Sequence, residues 1–273
     1  GLKKIQLGDR EKQIQFFAKS NLSNYIQYKH RQYWSGYVKA SYHWGAYRRL
    51  EYMLRHLDNY YMRHYKDLDI TVNQLFACSF TDREQRLLIS HPIKLRLWIT
   101  GSVSYTQRYY DRSFTEFDSD IVTTTLKVSK KFRDFGTISL EGVYGIADNI
   151  TFGKGAKSSD LDRSYRHTEL YLPLSYDQGM LGFEVVGFSL RTDFRQYEVE
   201  DIGDPLHSGR SHRETKFDIW GEKNVKENLM ISCTIRFRNR FTDSNYDWVS
   251  ELKSFDQIHA WISIEWKMLY DRY

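Results

Sequence analysis

Hydrophobic and polar positions alternate with period two along most of the chain. Leu95, Leu97, Ile99, Gly101, Val103 and Tyr105 share one face of a segment opening at Ile93, and Lys94, Arg96, Trp98, Thr100, Ser102 and Ser104 share the other. From Leu229, the set Leu229, Ile231, Cys233, Ile235 and Phe237 alternates with Met230, Ser232, Thr234, Arg236, Arg238 and Arg240. Near the end, Ile258, Ala260, Ile262, Ile264, Trp266 and Met268 oppose His259, Trp261, Ser263, Glu265 and Lys267. A helix would scatter each set around its circumference, so these segments predict strands.

Weaker copies fill the rest. Trp34, Gly36, Val38, Ala40, Tyr42 and Trp44 oppose Ser35, Tyr37, Lys39, Ser41 and His43; Ile138, Leu140, Tyr144 and Ile146 oppose Ser139, Glu141 and Val143; Leu170, Leu172, Leu174 and Tyr176 oppose Glu169, Tyr171 and Ser175. Ile70, Val72, Phe76, Cys78 and Phe80 share a face interrupted by Gln74. The segment from Met180 fits two phases, one through Phe183 and Val185 and one through Phe188 and Leu190, as a bulge would produce. Arg48 to Lys66 fits a strand through Leu50, Tyr52 and Leu54 and a helix through Leu50, Met53, Leu54 and Leu57; the strand is preferred. The total is about twelve strands, each with room for the ~9–11 residues of a membrane-crossing strand plus a connection.

Connection lengths add a second pattern. Short ones fall at Trp44-Gly45-Ala46, Lys131–Gly136, Asp177–Gly179 and Lys223–Asn228, and longer polar ones at Tyr110–Asp120, Asp148–Arg166, Glu200–Arg213 and Asp243–Phe255. Thr81–Pro92 reads as a further connection, too long for its slot. No linker or low-complexity stretch divides residues 1–273, which read as one domain, with residues 1–12 as a lead-in from an upstream region.

Composition narrows the classes. The chain carries 40 Lys and Arg against 35 Asp and Glu, a formal charge of +5, yet 16% of it is aromatic and it holds only 3 Pro and 2 Cys. Aromatic content excludes disorder, two cysteines exclude a disulfide scaffold, and no apolar run approaches the ~18 residues of a membrane helix. A soluble β-sandwich and a membrane barrel remain. In the first the apolar faces meet in a core; in the second they meet lipid and the charged faces line a lumen.

Three features favour the barrel. Aromatics sit towards strand ends at Trp44, Tyr105, Tyr109, Tyr176, Trp266 and Tyr270, as membrane-interface girdles do. An even strand count places both ends on one side. The chain closes on an alternating strand ending in Tyr273, although Asp271 breaks the alternation just before it. In these respects it resembles bacterial outer-membrane β-barrels, as an architecture rather than through a family motif. The resemblance implies an all-β, single antiparallel transmembrane barrel in the bacterial outer membrane, with short periplasmic turns and longer external loops. Its surroundings would be outer-membrane lipid and lipopolysaccharide, with periplasmic or envelope proteins as partners.

In such a barrel the inward residues carry the function. Arg236, Arg238, Arg240, Lys94, Arg96, Arg49 and Lys267 would line the lumen, opposed by Glu265 and Glu141. Opposite charges either pair across the lumen, or the basic row stays solvated and draws anions. The leading expectation is a channel or export pore for polar solutes, anionic ones among them. The alternatives are an occluded barrel that docks protein partners, and a lipid hydrolase using His207, Ser208, Ser211 and His212. Adjacent His and Ser rarely form a working pair, and no GxSxG, Walker A or metal-spacing motif occurs, so no catalytic residue, metal or cofactor is assigned. Basic residues are interleaved with acids over most strands, which argues against a nucleic-acid partner.

Overall fold

A computed structural model describes residues 2–8, 12–66, 75–133, 136–150, 162–176 and 179–266. Thirteen strands run in chain order: β1 (Leu2–Gly8), β2 (Gln13–Ser23), β3 (Tyr33–His43), β4 (Arg49–Lys66), β5 (Leu75–Lys94), β6 (Leu97–Tyr110), β7 (Ser119–Phe132), β8 (Gly136–Asn149), β9 (Tyr165–Tyr176), β10 (Val185–Tyr197), β11 (Ser211–Lys226), β12 (Leu229–Asp243) and β13 (Phe255–Trp266). Each pairs antiparallel with its neighbours in sequence, giving one continuous meander. One short helix, α1 (Asp247–Lys253), joins β12 to β13. No described helix is long and apolar enough to cross a membrane, which says nothing of strands.

The strand count and two boundaries differ from the sequence reading. Residues 2–8, read as part of a lead-in, form β1 on the edge of β2. Thr81–Pro92 is no connection but the middle of β5, paired on both sides from Asp82↔Leu57 and Asp82↔Arg108 to Ser90↔Arg49 and Ser90↔Thr100. The reading failed there because Asp82-Arg83-Glu84 looks like a solvated loop, and only Leu87 and Ile89 mark the apolar side. Among the described residues the count is thirteen, an odd number, so β1 starts on the rim of long connections and β13 ends on the rim of tight turns. The preferred strand over Arg48–Lys66 is β4, with a bulge where Asn59 takes φ 51°. In β10 the second phase holds: Phe188 and Leu190 are exposed beside buried Gly187 and Ser189, and Phe183 belongs to the preceding turn.

Connections sort by length onto two rims. Tight turns join β3 to β4, β5 to β6 and β11 to β12, while β6–β7, β8–β9, β10–β11 and β12–β13 carry the longer segments. At the tight rim Gly136 takes φ +115°, and a Cβ there would stand 2.1 Å from the Ser175 carbonyl oxygen. That position tolerates only glycine.

The sheet curls, so residues from strands as distant as β4 and β10 border one cavity. Its two faces are inverted relative to a soluble sandwich. The concave face buries polar groups: Glu51, Asp82, Ser90, Ser129, Ser139, Ser189 and Glu214 are all under one-tenth exposed. The convex face exposes Leu54, Leu87, Val103, Leu126, Leu140, Leu170, Ile235 and Phe237. No pairing joins β1 to β13 among the described residues.

Candidate functional site

Register carries one polar row almost around the sheet. Gln13, His43, Arg49, Ser90, Thr100 and Lys127 pair in turn from β2 to β7, and Glu141, Tyr171, Arg191, Lys216, Arg238 and Gln257 continue it to β13. Neighbouring positions in such a row stand about 5 Å apart, close enough for unlike charges on adjacent strands to meet, as Lys127 and Glu141 do.

They meet as ion pairs. Arg236 forks onto Asp218 at 2.7 and 2.8 Å, Arg108 onto Asp82 at 2.8 Å twice, and Arg55 reaches Glu84 at 2.9 Å. Lys127 meets Glu141 at 3.3 Å and Arg191 meets Glu169 at 3.4 Å. Two carboxylates act as hubs. Glu51 is shared by Lys39, Arg49 and Arg86 at 3.3, 3.7 and 3.6 Å. Glu214 accepts from Arg238 at 2.7 and 3.1 Å, from Arg240 Nε at 2.8 Å, and meets Lys216 at 2.9 Å. Three cations about one carboxylate leave each hub with a net +2.

In all eleven of these Arg or Lys pairs the cation is more exposed than the acid: 37% against 4% for Arg49 and Glu51, 47% against 12% for Arg55 and Glu84. The cause is side-chain length. Asp and Glu lie against the sheet, while Arg and Lys reach past them with their charge towards water. The concave wall is therefore paired in its inventory and cationic in what it presents.

The described parts of the long connections fold over this face. The turn at Arg112–Phe117 buries Phe114, and α1 buries Val249. Asp118 accepts from the Tyr110 backbone N–H at 2.7 Å and Asp111 from that of Ser79 at 3.0 Å. In the β10–β11 connection Asp204 pairs with Arg163 at 3.3 Å and takes the His207 Nδ1 hydrogen at 2.8 Å. Burial pushes the His207 imidazole below its usual range despite Asp204, with Arg210 and Arg163 adding to the effect. Burial also opposes the charge on Asp204, but the His207 hydrogen bond and Arg163 overcome it and hold that carboxyl low. A neutral His207 donating Nδ1–H to ionised Asp204 fits both directions. Two cavities of about 360 and 540 Å³ lie beneath these connections and share Arg195, Tyr197, Arg210 and Lys253.

The residues singled out from the sequence separate into groups. Arg236, Arg238, Arg240, Arg49 and Glu141 stand on the concave face within the ion-pair network. Lys94 ends β5 and Arg96 lies in the following turn with φ 60°, so both belong to the tight rim rather than the wall. Glu265 lies on β13 at the sheet edge, opposite Met230. Among the aromatics, Trp44, Tyr176 and Trp266 mark the tight rim, Tyr109 the long rim, and Tyr105 stands on the convex face of β6. Lys267 and Tyr270 lie outside the described residues.

Among the described residues no serine hydroxyl bonds to His207 or His212: His207 turns to Asp204, and His212 faces Asp193 at 3.9 Å. No group of His, Cys, Asp and Glu suited to a metal ion occurs among them. Cys78 is buried and Cys233 half-buried, both as free thiols. Sequence reasoning missed Glu214 and the pair Arg195 and Arg210, and it read Glu51 as one inward acid among several without foreseeing its three partners. Glu51 and Glu214 alternate correctly in their strands, but their sharing among three cations depends on register between strands. No protein-family model matches the chain, and no curated protein matches it.

Proposed function

We propose that the chain is a β-barrel of the bacterial outer membrane whose water-filled lumen passes small polar solutes and favours anions. One observation carries the reading: every Arg or Lys pair on the concave face puts its cation towards open space and its acid against the wall. Passing anions meet a layer of guanidinium and ammonium groups, while the carboxylates act mainly to hold that layer in place. The convex face supports the membrane setting, since large apolar side chains exposed in rows across the sheet are stable against lipid and costly against water. Outer-membrane lipid and lipopolysaccharide would be its neighbours.

The test is reversal potential in planar bilayers under a potassium chloride gradient. Anion preference is expected, and Lys39→Gln with Arg86→Gln should shift it towards cations, because Glu51 then keeps Arg49 alone. Folded, inserted protein that conducts nothing would overturn the channel.

A second reading, a barrel that docks an envelope protein, is favoured by β13. Among the described residues that strand is hydrogen-bonded on one edge only, and it is exposed along nearly its whole length. An unpaired strand edge is a template for another strand.

A further inference from the structure

Where the two cavities under the long connections meet, Arg195, Arg210 and Lys253 converge from β10, the β10–β11 connection and α1. Arg210 is only 7% exposed, and its Nε and that of Arg195 have no hydrogen-bond partner. The two guanidiniums lie over the rings of Tyr197 and Tyr165, at 4.2 and 4.3 Å from the centroids. Stacking fixes the plane of each fork and leaves its edge for an in-plane acceptor.

Among the described residues no carboxylate lies within ion-pair distance of Arg195, Arg210 or Lys253. Of the acids nearby, Glu214 is held by three cations, Glu169 by Arg191, and Asp204 by Arg163 and His207, while buried Glu116 lines the larger cavity without an ion pair to Arg195, Arg210 or Lys253. Asp193 faces His212 at 3.9 Å. Burial, together with Arg210, Arg63 and Arg240, pushes the Lys253 ammonium below its usual range, as an uncompensated positive field does. Confined cations without a counter-charge are unfavourable, and an anion relieves the cost.

We infer that Arg195, Arg210 and Lys253 form a binding site for the phosphoryl group of a phosphomonoester. Two forks and an ammonium supply more in-plane donors than the two oxygens of a carboxylate can take, and three positive charges suit a dianion. The larger cavity, about 540 Å³, continues past them between Phe114, Phe117 and Leu206, with room for an organic remainder. The site goes beyond the channel reading and does not rest on passage through the lumen.

The experiment uses the full chain folded in detergent micelles. It titrates the protein with inorganic phosphate and with glucose 6-phosphate by calorimetry, and in parallel with vesicles containing phosphatidate. Saturable binding is expected, weakened about tenfold or more in Arg195→Gln and Arg210→Gln, and unchanged in Arg166→Gln, whose partner Glu198 lies outside the site. Response to the soluble phosphates identifies a free solute, and response to the vesicles alone a lipid-borne phosphate. A second readout guards against misfolding. Without phosphate, Arg210→Gln should resist denaturant at least as well as the parent, because it removes an unpaired cation. Absence of binding to every probe, or a less stable Arg210→Gln protein that still binds phosphate normally, overturns the site.

Discussion

Arg108 on β6 holds Asp82 on β5 through two parallel hydrogen bonds of 2.8 Å, with the carboxylate 3% exposed and the guanidinium packed on the Phe80 ring. Removing one member of such a pair strands the other. Asp82→Asn should therefore destabilise the fold by about 2–3 kcal/mol, less than for a fully buried pair because Arg108 keeps water on one side. The double variant Asp82→Asn with Arg108→Met should recover most of the loss. Urea unfolding in micelles, followed by the mobility difference between folded and boiled protein, reads both.

That pair also marks where the sequence was legible and where it was not. Alternation in Leu229–Phe237 and Ile258–Trp266 comes from strands with one apolar and one polar face, and both were readable residue by residue. Around Asp82 both faces are polar, because Arg83 and Gln85 stand on the convex side where Leu87 and Ile89 stand lower down. Without contrast between faces, period two disappears and a strand looks like a loop. The inward Arg row was legible for the same reason as the strands. Its partners were not, since nothing local says that Glu214 meets Arg238 and Arg240 rather than water.

Gly187 on β10 and Trp220 on β11 are cross-strand partners, and the indole lies over the glycine. A Cβ at Gly187 would stand 2.1 Å from the ring. Gly187→Ala should push the indole away from the concave face and cost about 1–3 kcal/mol. Trp220→Leu in the same chain should restore most of it. Unfolding midpoints give the energies, and increased quenching of tryptophan emission by iodide reports the displaced ring.

Ile235 and Thr234 are neighbours on β12 that face opposite sides of the sheet. If the convex face meets hydrocarbon, Ile235→Lys should cost about 2–4 kcal/mol and reduce insertion into lipid vesicles. Thr234→Lys, facing the polar side, should insert normally. Equal insertion of the two variants, or better behaviour of Ile235→Lys in detergent-free buffer, would count against lipid contact on that face.

The connection over the cavities should loosen in mild acid. His207 has its imidazole pushed below the usual 6.5 by burial, so the folded protein binds its proton less readily than the unfolded chain. Unfolding then takes up a proton in the window below about pH 6.5, and stability falls as pH drops through that window, levelling off at the folded value. Asp204, also held low, contributes in the same direction further down: its share is complete above about pH 4 and is lost only as pH falls below that. Hydrogen exchange across residues 198–210, normalised to the intrinsic rate at each pH, should therefore accelerate between pH 7 and 5. His207→Gln, with an amide in place of the titrating ring, should flatten that rise and leave the one below pH 4. An acceleration of the same size in the variant would mean that another group opens the connection.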